Sequence, residues 1–233
     1  MAGFVVVYTG NTVLITFESD TPSRSFGTPV AGRLEHGKRL PTSGPNFRAY
    51  SRLGALLGRN SVHGAVRATV LEAYATLRRT SPDQLFVYGE TGWPHGGPFL
   101  PHRTHQNGLS VDFMVPLRSA AGQPVPFPTS VFTRFGYGLE FDAEGRKGST
   151  RIDFEAIARH LLALQEAAPL HGLRIARVII TPEYQPVLFA TPSGLRLKGM
   201  IPMMTTPAWV RHDEHYHVDF ALTPPVAEPV GIK

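Results

Sequence analysis

Hydrophobic positions recur at helical spacing in two long stretches of the chain. Over 62–79, Val62, Val66, Val70, Ala73 and Leu77 share one face, and the run Thr80-Ser81-Pro82 stops the helix. Over 153–168, Phe154, Ile157, Leu161 and Leu164 form a second stripe, with Asp153 placed to cap it and Pro169 to end it. Elsewhere the period shortens: 84–90, 109–115, 173–181 and 215–222 have strand composition, and a short element surrounds 184–190. Residues 3–17 are apolar but broken by Thr, Gly and Asn, which predicts a β-hairpin turning at Gly10-Asn11 and argues against a signal peptide or membrane span. Residues 19–50 are rich in Pro, Gly, Ser and Arg and keep no period, as in a long ordered loop or a partly mobile arm. The pattern predicts an α+β domain over 22–224 with a mainly antiparallel sheet, flanking helices and long loops. Residues 1–21 are a hairpin or extension before it, and 225–233 a tail.

Strand parity sorts the polar side chains. Along 109–115, Val111, Phe113 and Val115 alternate with Ser110, Asp112 and Met114, so Asp112 projects away from an apolar, core-facing side. Along 215–222, Tyr216, Val218, Phe220 and Leu222 alternate with His215, His217 and Asp219. Upstream, His102 and His105 lie on a turn before Gly108, which can fold an imidazole back towards the carboxylate. If the two strands are neighbours, His105, Asp112 and His217 converge as two nitrogens and one oxygen, a set that suits four-coordinate Zn²⁺ with one position left to water. The same parity points Glu214 to the core side unless a bulge re-aims it, and leaves Asp219 to an ion pair or hydrogen bond.

Composition narrows the chemistry further. The chain has no cysteine, so thiolate metal sites, disulfides and a cysteine nucleophile are excluded, and any metal sits on His and carboxylate. The net charge of +5 favours a polyanionic partner: nucleic acid, an acidic lipid surface or an anionic cell-wall polymer. The arginines are scattered, however, and no nucleic-acid-binding motif accompanies the charge, so no nucleic-acid partner is expected. His36, His63, His95, His160 and His171 stand apart from the cluster and read as ordinary surface or hydrogen-bonded histidines. Trp93 and Trp209 are candidates for a cleft wall or the core, and Met200, Met203 and Met204 read as packing.

The motifs "HRTHQNGLSVD" and "HDEHYH", with "PSRSFGTPVAGRLEHGKRLP" and "GETGWPHGGPFLPH" upstream, resemble the penicillin-insensitive murein endopeptidases. These belong to a wider group of zinc peptidases with lysostaphin-type and D-alanyl-D-alanine members, and the likeness spans roughly 22–222. The resemblance implies a D-Ala-D-Ala metallopeptidase/hedgehog-like fold. It implies zinc on His105, Asp112 and His217, with His215 assisting the attacking water and His102 and His212 around the cleft as substrate or supporting contacts. Glu214 is the alternative general base, because related dipeptidases use a glutamate three residues before the last histidine ligand. The implied activity is hydrolysis of a peptidoglycan cross-link between stem peptides, D-alanyl to diaminopimelate, in the periplasm or after secretion, although no export signal is visible. The alternative is a non-catalytic metal-containing domain that binds wall polymer or a protein partner. Two departures stand out: the family commonly carries cysteines, and Ser110 replaces a commonly acidic residue.

Overall fold

The computed structural model describes residues 2–206 and 208–224; the 225–233 tail lies outside them. The chain opens with α1 (Ala2–Thr16), followed by the strands β1 (Arg24–Thr28), β2 (Ala31–Glu35), β3 (Lys38–Arg39) and β4 (Phe47–Ala49). Next come α2 (Arg52–Leu56), β5 (Ser61–Val62), α3 (Gly64–Thr80), β6 (Phe86–Tyr88) and β7 (Ser110–Met114). The strands β8 (Leu117–Ser119), β9 (Pro124–Val125), β10 (Arg146–Lys147) and β11 (Thr150–Ile152) precede α4 (Phe154–Ala167). The chain then runs through β12 (Leu173–Ile179), α5 (Gln185–Ala190), α6 (Pro192–Leu197) and β13 (His215–Leu222).

The expected α+β class holds. The largest sheet has the order β12-β13-β7-β6-β4, antiparallel except for the β4–β6 pair, and a four-stranded sheet β10-β11-β8-β9 flanks it. One face of the large sheet carries Val111, Phe113, Tyr216, Val218 and Phe220 into a core shared with α3 and α4. Both helices follow their periodicity: Val66, Val70, Ala73 and Leu77 are buried on α3, and Ile157, Leu161 and Leu164 on α4. Asp153 caps α4 by accepting from the Ala156 N–H at 3.1 Å, an arrangement worth about 1 kcal/mol.

Two expectations fail. Residues 3–17 are not a hairpin: α1 is helical through them. Their β-branched content favours strand locally, but Gly10 and Asn11 act as packing residues and not as a turn. A Cβ on Gly10 would sit 2.6 Å from Leu56 Cδ1, so the glycine is where α1 closes on α2. Asn11, buried beside it, donates to the Leu40 carbonyl (3.0 Å) and accepts from Asn60 Nδ2 (3.0 Å). Tertiary hydrogen bonds thus override local propensity. Likewise, 19–50 is neither a loop throughout nor a mobile arm, because it contains the antiparallel β1–β2 pair, whose Phe26 ring lies 3.8 Å beneath the Arg33 guanidinium. Among the described residues, no helix is long and apolar enough to cross a membrane.

Candidate active site

The neighbouring-strand condition is met. β13 lies antiparallel to β7, with His217 directly opposite Asp112, His215 opposite Met114 and Asp219 opposite Ser110. These side chains share the sheet face away from the main core, as parity requires. That face is nonetheless buried, because the 89–108 and 131–139 segments roof it: Asp112 is 1% exposed and His217 2%. The site is therefore the floor of a cleft, of about 770 Å³, and not an open sheet surface.

Asp112 is the hub. Its Oδ1 lies 2.8 Å from His217 Nδ1 and 3.3 Å from His105 Nε2; its Oδ2 accepts from the Tyr137 hydroxyl at 2.9 Å and lies 3.8 Å from both His102 Nδ1 and His215 Nε2. The turn expected before β7 delivers His105, which sits in the left-handed region (φ +69°), with its Nδ1 3.1 Å from the Thr91 carbonyl. Gly89 admits the opposite wall: a Cβ there would collide with the Tyr137 hydroxyl and come within 2.9 Å of the Asp112 Cβ.

Proton placement tests whether these residues fit a metal. The Thr91 carbonyl can only accept, so His105 Nδ1 carries the proton and Nε2 turns a lone pair towards Asp112. That buried Nε2 has no hydrogen-bond partner. Desolvation lowers the His105 pKa against the pull of Asp112, keeping the ring neutral. On the other side, His217 Nε2 lies 2.8 Å from Asp219 Oδ1, so a neutral His217 donates there and also turns its Nδ1 lone pair to Asp112. With His217 in that form, two nitrogen lone pairs and a carboxylate oxygen meet, a donor set of the kind that can hold a cation. Desolvation lowers the His217 pKa, but the charge of Asp219 and hydrogen bonds to Asp112 and Asp219 outweigh it and push it up to about 10. Donor atoms of His102, His105 and Asp112 also lie within 4.8 Å of one another, a buried His-His-Asp group that could hold a metal ion.

The surrounding shell holds these rings. Asp219 was expected to make an ion pair or hydrogen bond and does more: it accepts from Ser110 Oγ (2.6 Å), pairs with Arg177 (2.5 Å) and orients His217. Serine at 110 thus serves as a donor to the carboxylate behind His217. His102 Nε2 meets Glu90 Oε2 at 2.7 Å, and Glu90 also holds Arg59 at 2.5 Å and accepts from the Tyr50 hydroxyl at 2.6 Å. Burial alone would raise the Glu90 pKa, but the hydrogen bonds from His102 and Arg59 outweigh it and lower it to about 2. Glu90 and Tyr137 were missed from sequence. Glu90 stood inside a quoted motif but carried no spacing signal, and Tyr137 lies 25 residues from its partner.

The rim differs from expectation at Glu214. It does not face the core: β13 begins at His215, so strand parity does not reach it, and Glu214 lines the cleft. Its Oε1 lies 2.9 Å from His215 Nδ1. Desolvation opposes protonation of His215, but the charges of Asp112 and Glu214 outweigh it and raise its pKa. His212 also lines the cleft, its Nδ1 2.8 Å from the Val210 carbonyl, and burial lowers its pKa to about 3. Trp209 borders the cleft, whereas Trp93 packs on Phe99, 5.3 Å between ring centres. The methionines do not all pack: Met203 meets the core, Met204 lines the cleft and Met200 is exposed. Of the remaining histidines, His63 caps α3 and His160 lies in the core.

Nitrogen and oxygen donors gathered on a cleft floor, with no thiolate, are the kind of site that metal-assisted hydrolases use. The chain belongs to the penicillin-insensitive murein endopeptidase family, which matches residues 25–227, and so to the peptidases. No curated protein matches the sequence.

Proposed function

We propose that the protein is a zinc-dependent peptidoglycan endopeptidase that hydrolyses the cross-link between stem peptides, between D-alanyl and diaminopimelate, in the periplasm or outside the cell. The observation that carries this reading is the meeting of His105 Nε2, His217 Nδ1 and Asp112 Oδ1 on the floor of a cleft. Those three residues would hold the ion. When bound, Zn²⁺ polarises a scissile carbonyl and lowers the pKa of water towards neutrality.

The protein's own groups supply the proton traffic and the positioning. His215 takes a proton from the attacking water at Nε2 and returns it to the leaving amine. Glu214, on the Nδ1 side of His215, fixes the ring and balances its charge, acting in this reading as the orienting carboxylate behind the base. Asp219 orients His217, and Tyr137 orients Asp112, in the manner of supporting groups around metal ligands. His102, tethered to Glu90, and His212 stand on the cleft wall, where substrate passes.

Mass spectrometry of cross-linked muropeptides, with metal analysis of the same samples, tests the proposal. The unsubstituted protein is expected to carry one zinc and convert dimers to monomers. His217→Ala is expected to lose the zinc and at least about 100-fold in rate. Intact dimers despite stoichiometric zinc would overturn the enzymatic reading in favour of a non-catalytic wall-binding domain.

A further inference from the structure

The cleft holds four arginines, and they are not equivalent. Arg59 is tied to Glu90 and Arg177 to Asp219, each at 2.5 Å. Among the described residues, Arg103 and Arg134 face no carboxylate, although both line the same cleft. Arg103 lies 4.7 Å over the Trp209 ring. The Arg134 side chain is exposed and, among the described residues, makes no hydrogen bond or ion pair. The two come from segments that meet across the floor, since Arg103 follows His102 and Arg134 stands three residues before Tyr137, and those two rings are 5.4 Å apart. The cleft acids, by contrast, are all engaged: Glu90 with Arg59, Asp112 with Tyr137 and the imidazoles, Glu214 with His215.

Arg134 also occupies unusual backbone. Arg134 (φ +49°) and Phe135 (φ +58°) are consecutive non-glycine residues in the left-handed region, a conformation that side chains rarely adopt and that persists where surrounding structure over-determines it. Here the Phe135 N–H donates to the Ser130 carbonyl at 2.8 Å, the Phe135 ring meets Tyr50 edge-on at 6.2 Å, and the Tyr137 hydroxyl is fixed on Asp112. The double left-handed turn lets one short segment put a phenol on the floor of the site and a guanidinium at its wall.

We infer that Arg134, with Arg103 lining the same cleft, is a specificity-determining residue that receives a free carboxylate of the substrate peptide, so that the site distinguishes carboxylate-bearing cross-links from amidated ones. The substrate class rests on the proposed function above. A guanidinium offers paired N–H donors that match a carboxylate and not a carboxamide, and stem peptides present carboxylates next to the scissile bond.

Binding, separately from turnover, tests this. Cross-linked muropeptide dimers with a free or an amidated diaminopimelate carboxylate are titrated into protein carrying His215→Ala, to slow cleavage, and followed by tryptophan fluorescence. The free-carboxylate dimer is expected to bind about 10- to 100-fold more tightly, the range of one charge-assisted hydrogen-bonding contact. Adding Arg134→Gln should collapse that ratio towards one, and Arg134→Lys should restore part of it; circular dichroism melts confirm that each variant is folded. Equal binding of the two dimers before substitution, or a ratio that survives Arg134→Gln, would overturn the inference. A ratio that responds to Arg134→Gln, in a protein whose unsubstituted form leaves both dimers uncut, would uphold it while overturning the peptidase reading.

Discussion

Tyr137 shows how much a single side chain contributes to this floor. Its hydroxyl donates to Asp112 Oδ2 and accepts from the Glu90 N–H at 2.8 Å, joining the Asp112 carboxylate to the Glu90 backbone through one group. Tyr137→Phe keeps the ring that packs on Tyr50 and His215 but frees Asp112 and leaves a buried N–H without an acceptor. Zinc affinity, measured by chelator competition, is expected to fall about 10- to 100-fold, with about 1–3 kcal/mol lost from unfolding in urea. At this scale the sequence was partly legible. His105, Asp112 and His217 could be chosen because strand parity and a glycine turn are local signals. Tyr137 and Glu90 could not, because loop trajectories alone bring them to Asp112 and His102, and nothing in residue spacing encodes a loop's path.

Elements divide along the same line. Helices α3 and α4 and strand β13 were readable because their apolar stripes are long and their stops are explicit, and β13 spans the expected residues. Helix α1 was misread because the cues used were those of an isolated segment, whereas its glycine and asparagine answer to α2 and the Leu40–Asn60 pairing. This difference is measurable. In a hairpin turn Asn11 would be exposed and its loss nearly silent; in the helix it is 1% exposed and bonded on both sides of its amide. Asn11→Ala is expected to lower stability by about 1–3 kcal/mol, read from the urea midpoint. Asp153→Ala should cost about 0.5–2 kcal/mol by the same measurement, since it removes the α4 cap and the Arg118 pair at 2.6 Å.

At the scale of the whole molecule, acid disturbs a titratable ring packed in the hydrophobic core. His160 is fully buried, stacked on Tyr74 at 5.3 Å and edge-on to Phe113 at 4.5 Å, with its Nδ1 hydrogen-bonded to the Tyr216 hydroxyl. Burial lowers its pKa from 6.5 to about 3. The unfolded chain therefore takes up a proton below pH 6.5 that the folded chain refuses until near pH 3, and stability falls as pH drops through that window. The expected extra slope is about 1.4 kcal/mol per pH unit between roughly pH 6 and 4. Denaturant unfolding of His160→Phe with Tyr216→Phe, which removes the titration without stranding the hydroxyl, should lack that component. An unchanged slope would contradict it.

The large sheet thus does two jobs at once, packing one face as core while the other holds a polar floor that loops enclose. Parity foretold the division of side chains but not the roof. Everything proposed for the reaction depends on that floor gripping one divalent ion, and crystals grown with zinc and measured across the zinc absorption edge test this most directly. A single anomalous peak is expected about 2.0–2.2 Å from His105 Nε2, an Asp112 oxygen and His217 Nδ1. No peak between those atoms, or a peak held by His102 while His217 stays bound to Asp112, would contradict it.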